Sequence, residues 1–195
     1  VYINDVLCCV ERADEGLYIS ICSDADFDSV TEMYINAWTR VIPKAAYDHR
    51  NDILILEMGS NGGWENDYDE LIEQYKAMIA NSGTECYIII GDTDNPEESV
   101  DSANYTSSQE IGTDDSMWEA ALREAFGEHF INMRTYLLEN ALNIAGLEPT
   151  QMDEEDLSHG RVPETIKYDY THLNSYGYYA IGYGVYEKGL ELGYW

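Results

Sequence analysis

The chain has 195 residues, 45% of them hydrophobic, including 17 Tyr and 4 Trp. This length and composition suffice for a domain with a substantial core and exclude global disorder. The formal net charge of −28 disfavours nucleic acid and anionic membranes as partners. The sequence contains no apolar run of about 18 residues, so no transmembrane helix is predicted, and no signal peptide is recognisable.

The amino-terminal residues predict a β-hairpin. Residues 2–10 and 17–22 are rich in Tyr, Ile, Val and Cys, and a polar turn that ends in Gly separates them. We expect buried free thiols here, and pairing of Cys8 or Cys9 with Cys22 across the hairpin is the alternative. Because the chain opens at Val1 with strand-like sequence, we expect a processed product or a fragment of a longer polypeptide.

Strands and amphipathic helices alternate after residue 50. Apolar strands are predicted at 52–58, 86–90 and 130–133, and helices after Asn66 or Asp67, at 115–126, at 135–145 and from Asn174 to about residue 191. Residues 97–113 read as an exposed loop, and 149–160 as a loop or a short helix. This alternation predicts an α/β domain over 51–195 with a parallel sheet and helices on both faces, preceded by a hairpin and connecting segment over 1–50.

Asp169 and His172 form the first candidate site. They lie three residues apart, just before the final helix. Ester hydrolysis by a serine needs a base of near-neutral pKa, and a carboxylate that orients the imidazole and stabilises its charged form. The Asp-x-x-His spacing supplies both from one short loop, although a structural pair explains the same spacing when it is considered alone.

Gly59 and Asn61 form the second candidate site, in a Gly-Ser-Asn-Gly-Gly turn directly after the first apolar strand. A tetrahedral oxyanion needs hydrogen-bond donors that are already in position. Gly lets the backbone N–H approach closely, and Asn adds a side-chain donor. A plain tight turn explains the same residues when they are considered alone.

Together these segments resemble the SGNH/GDSL hydrolases, in particular a branch from Gram-positive, gut-type bacteria. The resemblance covers about residues 50–195. It rests on Gly59-Ser60-Asn61-Gly62-Gly63, on Phe126-Gly127 with Phe130-Ile131-Asn132-Met133-Arg134, on Gly160-x-Val162-Pro163, on Asp169-x-x-His172-Leu173-Asn174 with Gly177-Tyr178, and on Leu192-Gly193-Tyr194-Trp195.

The resemblance implies a three-layer α/β/α sandwich of the flavodoxin-like type and a serine esterase that acts through an acyl-enzyme. It implies His172 as general base, Asp169 as its orienting residue, and Gly59 and Asn61 as oxyanion-hole donors. All four are expected to face one cleft. An O-acylated carbohydrate is the substrate class that the family suggests, and no cofactor is expected.

The Gly-Asp-Ser block that carries the nucleophile in this family is not found among the 195 residues. We therefore expect a missing N-terminal segment or a partner chain to supply it and to complete the sheet. Thr93, in Gly91-Asp92-Thr93, is a poor substitute because it follows the Gly-x-Asn block. A non-catalytic binding or structural domain on the same scaffold is the alternative function.

Other sequence features have simpler explanations. No histidines or cysteines show metal-ligand spacing, so no metal site is predicted. The tyrosines and tryptophans could form a platform for sugar rings, but core packing is the favoured interpretation. An extracellular or cell-surface location is expected from the resemblance, and a cytoplasmic one stays open.

Overall fold

In the computed structural model the chain is a mixed α/β protein with one antiparallel and one parallel sheet. The structure describes residues 1–22, 34–60, 62, 64, 67–93 and 115–195. The loop predicted over 97–113 and the candidate donor Asn61 both lie outside the described residues. In the described part, no helix is long and apolar enough to cross a membrane.

The antiparallel sheet is built from the amino-terminal residues. Its strands have the order β3-β2-β1-β4. They are β1 Tyr2–Ile3, β2 Val6–Ala13, β3 Gly16–Ile21 and β4 Val41–Ile42. The predicted hairpin is present as β2 and β3. A second hairpin joins β1 to β2 through Asn4 and Asp5, both at positive φ, which these short polar residues tolerate well.

A disulfide joins Cys9 to Cys22 across the β2–β3 hairpin, whereas Cys8 is a buried free thiol. The expectation of free thiols was therefore wrong for Cys9 and Cys22. Cys9 lies directly opposite Ser20 in the ladder, and the chain then continues two residues to Cys22. Cys8 instead points into a small core with Ile3 and Val6, because neighbouring residues of a strand face opposite sides.

The parallel sheet has the strand order β5-β6-β7. These strands are Leu54–Glu57, Tyr87–Ile90 and Phe130–Ile131. The helices are α1 Lys44–Asp48, α2 Tyr68–Ser82, α3 Met117–Phe126, α4 Met133–Ala145, α5 Gln151–Ser158 and α6 Ser175–Glu191, with 3-10 turns at Gly127–His129 and Glu164–Ile166. The predicted strands and helices are thus present, with β7 shorter than expected because Asn132 caps α4.

Side chains of β6 alternate between two hydrophobic cores on opposite faces of this sheet. Ile88 and Ile90 pack with residues of α4 and α6, whereas Ile89 packs with residues of α2 and α3. The period of two in a strand produces this division. The parallel sheet is therefore covered by helices on both faces at its central strand.

A buried ion pair links the helices at the edge of the parallel sheet. Arg134, at the start of α4, makes two hydrogen bonds of 2.7 Å to Glu119 of α3 and one of 2.9 Å to the carbonyl of Gly160. Glu119 also closes the capping box of α3 with Ser116. Because both charged groups are buried and paired, loss of either one would leave an uncompensated charge in the core.

Candidate functional site

The structure brings Asp169 and His172 into direct contact. The imidazole Nδ1 lies 2.9 Å and 3.0 Å from the two carboxylate oxygens of Asp169. This pairing assigns the proton to Nδ1 and leaves Nε2 as the atom that can accept a proton. Both side chains are exposed to solvent.

Backbone hydrogen bonds fix the position of the Asp169 carboxylate. Its Oδ1 accepts from the N–H of His172 at 2.7 Å and from the N–H of Thr171 at 3.0 Å. The His172 N–H, then the His172 ring and the Thr171 N–H, hold the pKa of this carboxyl below its usual value. Asp169 is therefore ionised near neutral pH and can orient and charge-stabilise the imidazole.

Asn174 anchors the loop that carries this pair. Its carbonyl oxygen caps α6 by accepting from the N–H groups of Tyr176 and Gly177. Its amide donates to the carbonyls of Thr165 and Lys167 at 2.9 and 3.1 Å. One side chain therefore connects the start of α6 to the segment before Asp169.

Asp153 holds the segment before the same loop in place through hydrogen bonds. It is fully buried at the start of α5 and accepts hydrogen bonds from the N–H and the hydroxyl of Thr165. It also accepts from the N–H and hydroxyl of Thr150. Burial opposes ionisation of Asp153, but these hydrogen bonds outweigh it and lower its pKa to about 2. The sequence analysis assigned Asp153 only to the loop or short helix over 149–160 and missed this role. The Thr-x-x-Asp capping pattern was the available signal.

Gly59 lies in the turn after β5, where it packs against a cluster of aromatic rings. Its φ is +111°, and a Cβ at this position would lie 2.6 Å from the ring of Trp118. The Gly59 carbonyl accepts from the indole of the buried Trp64 and from the N–H of Gly62, each at 2.9 Å. Only Gly fits this position, for backbone conformation and for space.

The strand end before Gly59 is held by a tyrosine. The Tyr75 hydroxyl accepts from the N–H of Met58 at 2.9 Å and donates to its carbonyl at 2.8 Å. Burial raises the pKa of Tyr75 well above its usual value, so the hydroxyl keeps its proton. The sequence analysis predicted the helix that carries Tyr75 but missed this polar contact.

Gly59 lies at the carboxyl end of β5, at one end of the parallel sheet. One residue, Met58, separates it from the end of β5. The Tyr194 hydroxyl, just beyond α6, contacts the backbone of Tyr87 at the amino end of β6. The C-terminal end of α6 therefore lies near the amino end of β6, and the 17 residues of α6 give the helix a length of about 25 Å.

A set of polar side chains lies at the carboxyl end of the parallel sheet. Asn132, directly after β7, donates to Asp115 at 2.8 Å, and Asp115 also pairs with Arg123. The hydrogen bond from Arg123 lowers the pKa of Asp115, although burial opposes it. Because each of these groups has a partner within the set, we assign the trio to holding the start of α4.

Among the described contacts, none joins Gly59 to His172, and the shared cleft stays a prediction. In the described residues, no group of three or more His, Cys, Asp and Glu side chains is arranged to hold a metal ion. What the geometry provides is an oriented imidazole in one loop and a constrained glycine in another turn.

No family model, curated protein or solved structure matches the chain.

Proposed function

We propose that this chain is the part of an SGNH/GDSL-type serine ester hydrolase that supplies the general base and the oxyanion-hole donors. The observation that supports the proposal most directly is the 2.9 Å contact between His172 Nδ1 and the ionised Asp169. The proposal includes the fold of that family, which is a three-layer, flavodoxin-like sandwich. The parallel sheet and its two helical faces are compatible with it.

In the proposed reaction, His172 Nε2 removes the proton from a serine hydroxyl as the serine oxygen attacks the ester carbonyl. The N–H of Gly59 and the side-chain amide of Asn61 stabilise the oxyanion that forms. The protonated imidazole, stabilised by Asp169, then gives the proton to the leaving alcohol. Water cleaves the acyl-enzyme by the same steps and releases the acid.

The serine in this proposal comes from sequence outside the 195 residues. The open edge of the parallel sheet supports this idea. Among the described strands, β5 has only β6 as a neighbour, and Ile55 in β5 is 45% exposed. An unpaired apolar edge is a template for a further strand. A strand added beside β5 would end close to the Gly59 turn, where a nucleophile is required.

An O-acylated carbohydrate is the proposed substrate class, which rests on the resemblance alone. The proposed location is extracellular or at the cell surface. The Cys9–Cys22 disulfide is compatible with an oxidising compartment.

A non-catalytic binding or structural domain is the second candidate function. It is favoured by one observation, the lack of a Gly-Asp-Ser tripeptide in the 195 residues. On this alternative, His172 and Asp169 are a surface pair that stabilises the loop before α6.

Hydrolysis of p-nitrophenyl acetate separates the two candidates. The chain alone should hydrolyse this ester weakly, at a rate on the order of 10³-fold above that in water at most. A serine hydrolase that lacks its nucleophile keeps only this residual activity, from substrate binding and the oxyanion hole. The chain extended by its upstream coding sequence should be faster by orders of magnitude. His172→Ala in the extended protein should abolish the gain.

A matched variant guards against a wrong assignment of the nucleophile. Thr93→Ala should leave the activity of the extended protein unchanged. Strong activity of the chain alone that is lost with Thr93→Ala and kept with His172→Ala would contradict the proposal. An extended protein with no gain in rate would favour the non-catalytic domain.

A further inference from the structure

The surface between α4 and α6 contains a groove with a volume of about 290 Å³. This volume is near the lower bound of about 300 Å³ that is typical of small-molecule pockets. Its lining is dominated by aromatic and polar side chains. They are Tyr136, Tyr179, Tyr183, Asn140, Asn143 and Glu187.

Tyr136 is fixed at the base of this groove by packing and by a hydrogen bond. A Cβ at Gly184 would lie 2.7 Å from the Tyr136 ring, so the missing side chain lets the ring lie directly on α6. The Tyr136 hydroxyl donates to the Glu187 carboxylate at 2.6 Å. The ring therefore has one defined orientation before any ligand arrives, which reduces the entropy lost on binding.

Tyr179 and Tyr183 present exposed rings along the same groove. Tyr179 is 60% exposed and Tyr183 is 41% exposed. With Tyr176 and Tyr186 they follow the 3-4-3 spacing that places side chains on one stripe of a helix. Core packing, the favoured explanation from sequence, is therefore wrong for these tyrosines.

The amides in the groove have unused hydrogen-bonding capacity. The Asn140 amide nitrogen donates to the Tyr136 carbonyl at 2.9 Å, and its oxygen has no described donor. Asn143 is exposed, and its side chain makes no hydrogen bond to a described residue. Each amide can donate and accept at adjacent atoms, which matches neighbouring hydroxyl groups on a ligand.

We propose that this groove binds one or two pyranose rings of a neutral carbohydrate chain. The faces of aromatic rings are negative, and the C–H groups on a pyranose face carry partial positive charge, so the two surfaces stack favourably. The side chains of Asn140, Asn143 and Glu187 provide partners for the hydroxyl groups. This site is separate from His172 and Asp169, and the proposal does not depend on ester hydrolysis.

The charges around the groove favour a neutral ligand. No Lys or Arg is among its lining residues, and the formal net charge of the chain is −28, so an anionic ligand would be repelled. The single carboxylate, Glu187, already accepts from Tyr136. A second copy of the chain is the competing occupant, but every lining residue except Ile144 carries a hydroxyl, amide or carboxylate group, whereas helix–helix seams are apolar.

The test is calorimetric titration of the intact chain with cellohexaose, xylohexaose and mannohexaose. At least one should bind, with an affinity that changes little between 50 and 500 mM NaCl. Tyr179→Ala and Tyr183→Ala should each weaken binding about tenfold, because a stacked aromatic ring contributes up to about 1.5 kcal/mol. Tyr183→Phe should bind almost as well as the unchanged chain because it keeps the ring.

Tyr178→Ala is the matched control. Tyr178 is 57% exposed on the same helix but does not line the groove, so its removal should leave affinity unchanged. Circular dichroism should show that all variants fold. No binding of any of the three oligosaccharides, or equal loss in Tyr178→Ala, would overturn the proposal. So would a change of sedimentation coefficient in Tyr183→Ala without sugar, which would assign the groove to a second copy.

Discussion

The turn at Gly59 and the loop at Asp169–His172 are held in place by different forces. Gly59 packs against Trp118 and accepts a hydrogen bond from Trp64, both of which are buried. The loop is exposed and depends on hydrogen bonds within about twenty residues of chain. Mutations at the turn should therefore strongly lower the stability of the fold, whereas mutations at the exposed pair should change it little.

The largest effect is expected from Gly59→Ala. The added Cβ meets the Trp118 ring and forces a side chain into a backbone conformation that favours Gly. We expect a loss of about 2–5 kcal/mol in the free energy of unfolding, from overpacking and backbone strain together. Urea unfolding followed by circular dichroism measures it.

Gly62→Ala is the control for this measurement. Gly62 also has positive φ, but a Cβ there meets no atom within 4 Å. We expect only backbone strain to lower the free energy of unfolding here, by about 1–2 kcal/mol. Equal losses in both variants would show that the contact with Trp118 is unimportant.

Asp153→Asn should be the next most harmful change. Because the folded-state pKa of Asp153 is about 2 and the unfolded value is about 3.9, its ionisation stabilises the fold by roughly 2–3 kcal/mol at neutral pH. This stability is present above the unfolded pKa and is lost as the pH falls toward 2. The variant should lose about 2 kcal/mol at pH 7 and show a flatter decline of stability between about pH 4 and 2.

Glu154→Gln is the matched variant for Asp153→Asn. Glu154 lies in the same first turn of α5 but is exposed. Its substitution should change the free energy of unfolding by less than about 0.5 kcal/mol. Acid unfolding curves that are identical for the unchanged chain and Asp153→Asn would contradict the role assigned to Asp153.

Asn174→Ala should lower the free energy of unfolding by about 1–2 kcal/mol. It removes the cap of α6 and leaves the carbonyls of Thr165 and Lys167 without this donor. Asn174→Ser keeps a capping oxygen without placing a carboxylate against these carbonyls, and it should recover about 1 kcal/mol of the loss. Thermal unfolding of both variants measures the difference, and equal stability of the two would show that the cap itself contributes little.

The smallest effect on stability is expected from His172→Ala. The ring is exposed, and its described partner is Asp169, also exposed. Exposed pairs contribute about 0–1 kcal/mol, so the melting temperature should change by no more than a few degrees. A large drop in melting temperature would mean that the pair is structural, and it would weaken the case for catalysis.

Much of the fold follows from local sequence signals. Asp67 caps α2 and Asn174 caps α6, as their positions before apolar stripes indicate. The contact between Asp169 and His172 is also local, because three residues of chain bring the two side chains together. Capping, helical periodicity and short loops act over a few residues, so a single sequence contains them in full.

Tertiary structure decided the features that join distant residues. Gly59 needs to be Gly partly because Trp118, far along the chain, occupies the space of its Cβ. The groove with Tyr136 and Tyr183 exists only because α4 packs against α6 at Gly184. No short-range pattern determines which residues meet across helices, since these contacts depend on how whole helices and strands pack in three dimensions.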